Sequence, residues 1–560
     1  MFANARKGCS QENGVSSVEN MIPAAVLGVC ILSLASSALF GAATGVESDP
    51  AGTGAECQAP CASSRPHLRV TAWDLRDRTD DVGELVQKRE WLLLPTTRGF
   101  ELTANVVDVQ DVVTGKGTVY LRLAPLPGSR SWEGPDFEVR PDSPRGVTVV
   151  ERPCRTLEIP YEGGAIGRRA ALMAAQRARR PFVPGRDGLF LSNTWGDRNR
   201  DARLCEPFML KEIDAAAKLG VDIVQIDDGW QKGRTANSSA ANGKGVWDGY
   251  WATDPEFWKP DPVRFPNGLK TLVDAAASKG MGLGLWFGPD SSNDAANWER
   301  DADLLLGFHR TLGISYFKID SLKTRSSVSL ERQSALFEKV LKGSGGRVVF
   351  DLDVTAERRP GYFGLPEIGP VFVENRYTDW GKYWPHQTLR QFWALADVVD
   401  PVRLRMEVLN PLRNREKYAG DPLAPANWPI ESVFASVMLG SPLGWFEASG
   451  LAPETVARLA PFVAVWKRHR DRLHSGVVHP VGEKPDGVAW TGFVVKGEEG
   501  LDVVLFRELN ARQDCTLDLG PFGPASSAEV LSPRGAAVVK DGVLTATVPD
   551  RLDFVWARVR

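Results

Sequence analysis

Gly313–Leu322, GISYFKIDSL, is the stretch on which the reading of this 560-residue chain turns. Its bulky apolar positions, Ile314, Tyr316, Phe317 and Ile319, predict a short buried strand, and Lys318 and Asp320, two apart, project to the same side of it. A cation and an anion therefore stand together at the strand's C-terminal end. A structural ion pair satisfies that spacing equally well, so the neighbouring strands have to decide.

Working outward, runs suited to buried strands recur at Leu189–Trp195, Asp222–Asp227, Gly282–Gly288, Ser315–Asp320, Val348–Asp353, Val371–Asn375, Leu404–Leu409 and Pro442–Phe446. Helical periodicity fills most of the gaps, at Glu206–Leu219, Leu269–Lys279, Asn297–Leu312, Leu330–Leu341, Gln387–Ala396, Ile430–Leu439 and Thr455–Arg470. Strands and crossover helices alternating in this way over residues 185–474 predict an α/β fold, a (β/α)8 TIM barrel. Short alternating runs separated by Gly, Pro and Asp predict an N-terminal β-sandwich over 65–165 and a C-terminal one over 475–560, with a helical connector over 166–184.

The chain carries a formal net charge of −3 with 24% charged residues, a balance that points away from nucleic acid and polyanionic partners. The basic cluster Arg168–Arg180 fits the solvated face of a helix. At the N-terminus, residues 1–46 hold the apolar run Ile22–Phe40 behind Arg6 and Lys7, which reads as a secretory signal or as an uncleaved membrane anchor. Export or membrane tethering is the expectation that follows. Residues 47–64, small and Pro-containing, make a flexible linker in which Cys57 and Cys61 can pair in an oxidising compartment. Cys154, Cys205 and Cys515 have no metal spacing and are expected to be buried thiols. The oligomeric state is open.

A barrel presents its chemistry at the C-terminal ends of its strands. Here those ends read Asn193-Thr-Trp195-Gly-Asp197, Asp227-Asp228-Gly229-Trp230, Trp286-Phe-Gly-Pro-Asp290, Lys318-Ile-Asp320, Asp351 and Asp353, Glu374-Asn-Arg376-Tyr-Thr-Asp379-Trp380, Arg405 and Glu407, and Trp445 with Glu447. Carboxylates among aromatic rings are what glycosidic hydrolysis uses: a nucleophile, a proton donor and apolar faces for a sugar ring. The six histidines fall in predicted helices, loops and outer domains, which argues against a histidine-bound metal. No cofactor is expected, although Asp227, Asp228 and Asp353 are ligand types that a Mg²⁺ would accept. Each residue also has a plainer role. Adjacent aspartates cap turns, tryptophans fill cores, and Arg376 and Arg405 can serve only to neutralise nearby carboxylates.

LFLSNTWGDR, VDIVQIDDGW, LGLWFGP and SYFKID resemble the barrel motifs of the melibiase-type α-galactosidases, glycoside hydrolase families 27 and 36. The order of β-sandwich, barrel and β domain is most similar to family 36. The resemblance covers Leu189–Gly450 in motifs and weakens after residue 350. It implies Asp320 as nucleophile, Lys318 as a ligand of sugar hydroxyls, and Asp227 and Asp228 as the residues that grip the distal hydroxyls of galactose. The family's acid/base follows the sixth strand, where this chain departs from the pattern with ENRYTDW; Asp379 is the choice there and Glu374 the second. The expected activity is retaining hydrolysis of terminal α-galactosides, with Trp195, Trp230, Trp286, Arg376 and Trp445 completing the substrate pocket. Hydrolysis of an α-glucoside or α-N-acetylgalactosaminide, galactosyl transfer of raffinose-synthase type, and a non-catalytic carbohydrate-binding barrel stand as alternatives.

Overall fold

The computed structural model describes residues 67–560 except 79–82, 95, 240–243, 355–358, 374 and 375. The N-terminal signal or anchor, the linker, the Cys57–Cys61 pair and Glu374 lie outside the described residues.

Eight parallel strands close into a barrel: β1 Leu191–Asn193, β2 Ile223–Ile226, β3 Gly282–Phe287, β4 Tyr316–Ile319, β5 Val349–Asp353, β6 Val371–Phe372, β7 Leu404–Val408 and β8 Ser441–Trp445. Each pairs with the next in sequence, and β8 closes on β1 with Leu443 opposite Leu191 and Trp445 opposite Asn193. Every expected strand is present, although β6 keeps only two residues of its expected run. Helices Glu206–Leu219, Lys270–Ala277, Trp298–Leu312, Ser327–Gly343, Pro385–Leu395, Ile430–Ala435 and Pro453–Ser475 occupy the crossovers and the segment after β8. Local chemistry sets the bounds. The helix before β4 ends at Gly313, whose φ of 72° lies in the left-handed region that a glycine enters without a Cβ penalty, and the chain turns there into the strand.

Two further layers flank the barrel. On the N-terminal side a five-stranded antiparallel sheet (Leu68–Leu75, Val86–Leu92, Val106–Asp111, Gly117–Arg122, Thr156–Tyr161) faces a three-stranded one, with Val70, Val107, Tyr120, Leu102 and Phe137 between them. On the C-terminal side the same arrangement recurs around Val494, Val503, Leu505, Leu544 and Ala546. The flanks share a core with the barrel: Trp73 of the first sandwich and Phe493, Phe506 and Phe554 of the second belong to one apolar cluster with the barrel's helices and strands. Helix Gly164–Arg179 bridges them, the Arg168 guanidinium lying 4.7 Å from the Trp73 ring. Among the described residues no helix is long and apolar enough to cross a membrane. Cys154, Cys205 and Cys515 are unpaired and half-buried, less enclosed than the sequence suggests.

Candidate active site

β4 delivers Lys318 and Asp320 as its alternation requires. Asp320 follows the last strand residue and is almost fully buried. Trp286 of β3 donates its indole N–H to Asp320 Oδ2 at 3.1 Å, and the backbone N–H of Ser321 donates to Oδ1 at 2.6 Å. Ser321 adopts φ 49°, unusual for a residue with a Cβ, and this sharp turn brings its N–H back onto the carboxylate. Both Asp320 oxygens therefore have a donor, which fixes the plane of the carboxylate.

Lys318 is enclosed beneath this position. Its Nζ lies 2.9 Å from Asp227 Oδ2 at the end of β2 and 2.9 Å from Asp353 Oδ2 at the end of β5. The ammonium also stands 4.8 Å from the Trp445 ring centroid. Burial alone pulls such an amine down, but the fields of Asp227, Asp353 and Asp320 outweigh it and hold Lys318 well above the ordinary lysine range. The ammonium thus fills the place between Asp227 and Asp353 where a bridging cation would sit. Asn193 of β1 ties in by donating from Nδ2 to Asp227 Oδ2 at 2.7 Å.

The two adjacent aspartates separate. Asp227 joins the Lys318 cluster, whereas Asp228 turns into its own loop and accepts from Gln231 Nε2 at 2.8 Å and from the Thr235 hydroxyl. Burial pushes its carboxyl up to about 7 against those hydrogen bonds. Arg405 of β7 reaches Asp351 Oδ1 through two nitrogens, each at 3.1 Å, and donates also to the carbonyl of Leu189 at 3.0 Å. The two charges of this pair offset one another inside the barrel.

The tryptophans divide as well. Trp286 touches the site directly through Asp320, and Trp445 lies under Lys318. Trp230 does not reach the pocket. It is fully buried between Trp258 and Phe308, with its indole N–H on the Trp286 carbonyl at 2.9 Å, so it is a core residue that backs Trp286 and not a pocket wall. Trp195 is buried in the turn after β1. Arg376, buried just past β6, donates its backbone N–H to Glu407 Oε1 at 3.0 Å.

Asp379 stands in the turn beyond, half-buried, with Oδ2 3.4 Å from the Nε of Arg198. The other oxygen, Oδ1, is shielded from solvent and has no hydrogen-bond partner among the described residues. Arg198, the last residue of the motif LFLSNTWGDR, comes from the loop after β1 and is a site residue that strand-end reasoning misses. Its guanidinium sits in the corner between the rings of Tyr377, at 4.6 Å, and Trp380, at 4.5 Å. No signal in the sequence pairs a residue of the first loop with one of the sixth; only barrel closure does so.

Residues 189–310, which carry β1 to β3 and the helix that follows, match the Melibiase family model. A stretch of 86 residues is 34% identical to the alpha-galactosidase of Escherichia coli, covering 15% of this chain and 10% of that protein, so the alignment spans about a tenth of the curated relative. In fold, a GH36 alpha-galactosidase AgaA variant of Geobacillus stearothermophilus superposes with a TM-score of 0.58 at 14% identity, over 89% of this chain and 75% of its own. The alpha-galactosidase of Lactobacillus brevis superposes at 0.61 and 11% identity, over 89% and 74%. AgaA variants are held in crystals with 1-deoxygalactonojirimycin, stachyose and raffinose. In sequence over the first three barrel strands, and in fold over nearly nine-tenths of its length, the chain resembles the melibiase-type α-galactosidases, those of family 36 above all.

Proposed function

We propose that this chain is a glycoside hydrolase that cleaves terminal α-galactosides with retention of configuration. The observation that carries the reading is the double clamp on Asp320. A carboxylate held in one plane at a barrel strand end, above a lysine balanced by two further carboxylates, is poised for in-line attack on an anomeric carbon. In the first step Asp320 bonds to C1 while Asp379 gives its proton to the departing glycosidic oxygen. In the second, Asp379 takes a proton from water, whose oxygen displaces Asp320 from C1 and restores both carboxyl groups. Lys318, Asp227 and Trp286 would hold the sugar, and the family resemblance and the ligands of AgaA support galactose there. Asp228 supports it less directly, because its loop already engages both its oxygens. Glu374 remains the second choice for the acid. Secretion or membrane tethering is part of the same proposal and rests on the N-terminal sequence alone.

The test is to follow hydrolysis of 4-nitrophenyl α-galactoside by NMR and to compare kcat/KM for the matched α-glucoside and α-N-acetylgalactosaminide. The α-anomer of galactose forms first, and the galactoside is preferred by tenfold or more, about 1.4 kcal/mol. An inverted first product removes the covalent mechanism, and preference for another sugar removes the galactose assignment. Oligosaccharide formation in place of free galactose, when an acceptor sugar is present, assigns the chain to transfer.

A further inference from the structure

The contact between Arg198 and Asp379 has a role that neither the resemblance nor the strand-end pattern assigns. Arg198 stands in left-handed backbone, φ 59°, where a residue with a Cβ is held only if its surroundings demand it. Three neighbours do. Its own N–H closes a turn onto the Trp195 carbonyl at 2.8 Å. The carbonyl just before it, that of Asp197, accepts from Arg413 of the loop after β7 at 2.5 Å. The Asp197 carboxylate accepts from the backbone N–H of Glu447, beyond β8, at 3.1 Å. The turn that carries Arg198 is thus braced by two other barrel loops before its side chain reaches the sixth.

At the far end, the guanidinium is shared by two rings and one carboxylate. Tyr377 and Trp380 meet edge to face at 4.5 Å and an interplanar angle of 67°, and the Arg198 guanidinium fits the corner between them. Asp379, on the same turn, offers it Oδ2 alone. The turn after β6 has a strand of only two residues behind it, so little regular backbone pairing holds it in place. We infer that Arg198 is a positioning residue for Asp379: it pins the turn after β6 through the rings of Tyr377 and Trp380 and holds the carboxylate of Asp379 by Oδ2. This rests on the assignment of Asp379 as acid/base made above.

A planar cation that can face two rings and a carboxylate together is an arginine's role, which a lysine fills in part. Arg198→Gly removes the side chain while accepting the left-handed backbone, so the turn itself is kept. Arg198→Lys restores a charge. Both are compared with the wild type and with Asp379→Ala on two substrates, 4-nitrophenyl α-galactoside, whose leaving group departs without a proton, and melibiose, whose leaving sugar needs one. A thermal melt of each variant verifies that it is folded.

The expected result is that Arg198→Gly lowers kcat on melibiose by tenfold or more, with little change in KM, and lowers kcat on the nitrophenyl substrate less than threefold. Arg198→Lys recovers most of the loss. Combining Arg198→Gly with Asp379→Ala costs no more than Asp379→Ala alone, because the arginine acts through that carboxylate. If Asp379→Ala itself slows both substrates equally, the acid/base assignment falls and this inference falls with it. If Asp379→Ala is selective for melibiose but Arg198→Gly slows both substrates alike, or neither, only the positioning role is overturned. A loss confined to KM overturns it too, since that places Arg198 on the substrate.

Discussion

Asp320 and Lys318 illustrate how two side chains on one short strand divide their work. Asp320 takes donors from Trp286 and Ser321, one on each carboxylate oxygen, and these orient it. Asp320→Asn puts an amide opposite one of those donors and cannot form a glycosyl ester. Turnover is expected to fall at least about a thousandfold, with a melting temperature within a few degrees of the wild type; residual activity above a few per cent would contradict the assignment. Lys318 has the opposite character. It sits fully enclosed between Asp227 and Asp353, and Lys318→Met would remove the ammonium that bridges those two carboxylates. Breaking a buried pair of this kind costs about 3–5 kcal/mol. Urea unfolding monitored by tryptophan fluorescence measures it, and a loss below about 1 kcal/mol would mean that the cluster is hydrated or already protonated.

At the scale of elements, the loop that follows β2 is a unit closed on itself by Asp228. With its carboxyl raised to about 7, the folded chain holds a proton that the unfolded chain has released wherever the pH lies between the ordinary aspartate value of 3.8 and about 7. Stability from this group is therefore greatest in acid and is lost as pH rises through about 7. Asp197, raised by burial to about 6, and Asp301, raised by burial to about 7, act in the same direction. Asp228→Asn keeps the geometry, since Gln231 still finds an acceptor and the Thr235 hydroxyl can rotate to accept from the new amide. The fall in melting temperature between pH 5 and pH 8 is expected to be smaller in this variant than in the wild type, and an equal fall would place the ionisation elsewhere.

Across the whole molecule, the two flanking sandwiches and the barrel are joined by a continuous apolar cluster as well as by polar links such as Trp73 Nε1 to Asp397 Oδ2 at 3.2 Å. Ring pairs cross the C-terminal junction, with Phe392 and Phe493 at 5.5 Å and Phe462 and Phe554 at 5.3 Å. Domains that share so much core are not expected to unfold separately. Calorimetry of the full chain should show one endotherm over residues 65–560, and a truncated chain lacking residues 65–165 should melt at lower temperature because Trp73 and Leu75 no longer cover the barrel's helices. Two resolved transitions would mean that the sandwiches are only attached.

What the sequence determined by itself was the barrel and the identity of the groups at its strand ends. Strand period, helix period and their alternation are local properties, and side-chain direction along a strand follows from the two-residue repeat that put Lys318 and Asp320 on one side. The resemblance of IDDGW and FKID to one family added roles that spacing alone could not assign. Tertiary structure decided which of these groups meet. Asp227 and Asp228 are neighbours in sequence, yet one joins Lys318 and the other its own loop, because the chain turns between them. Trp230 and Trp286 read alike as strand-end rings, yet only Trp286 reaches the carboxylate, since Trp258 and Phe308 seal Trp230 behind it. Arg198 and Asp379, 181 positions apart by their numbers, meet only because closing the barrel lets the first and sixth loops reach each other across its mouth. Local pattern specifies elements and faces, whereas pair distances depend on the sum of every turn between them, which no short stretch encodes.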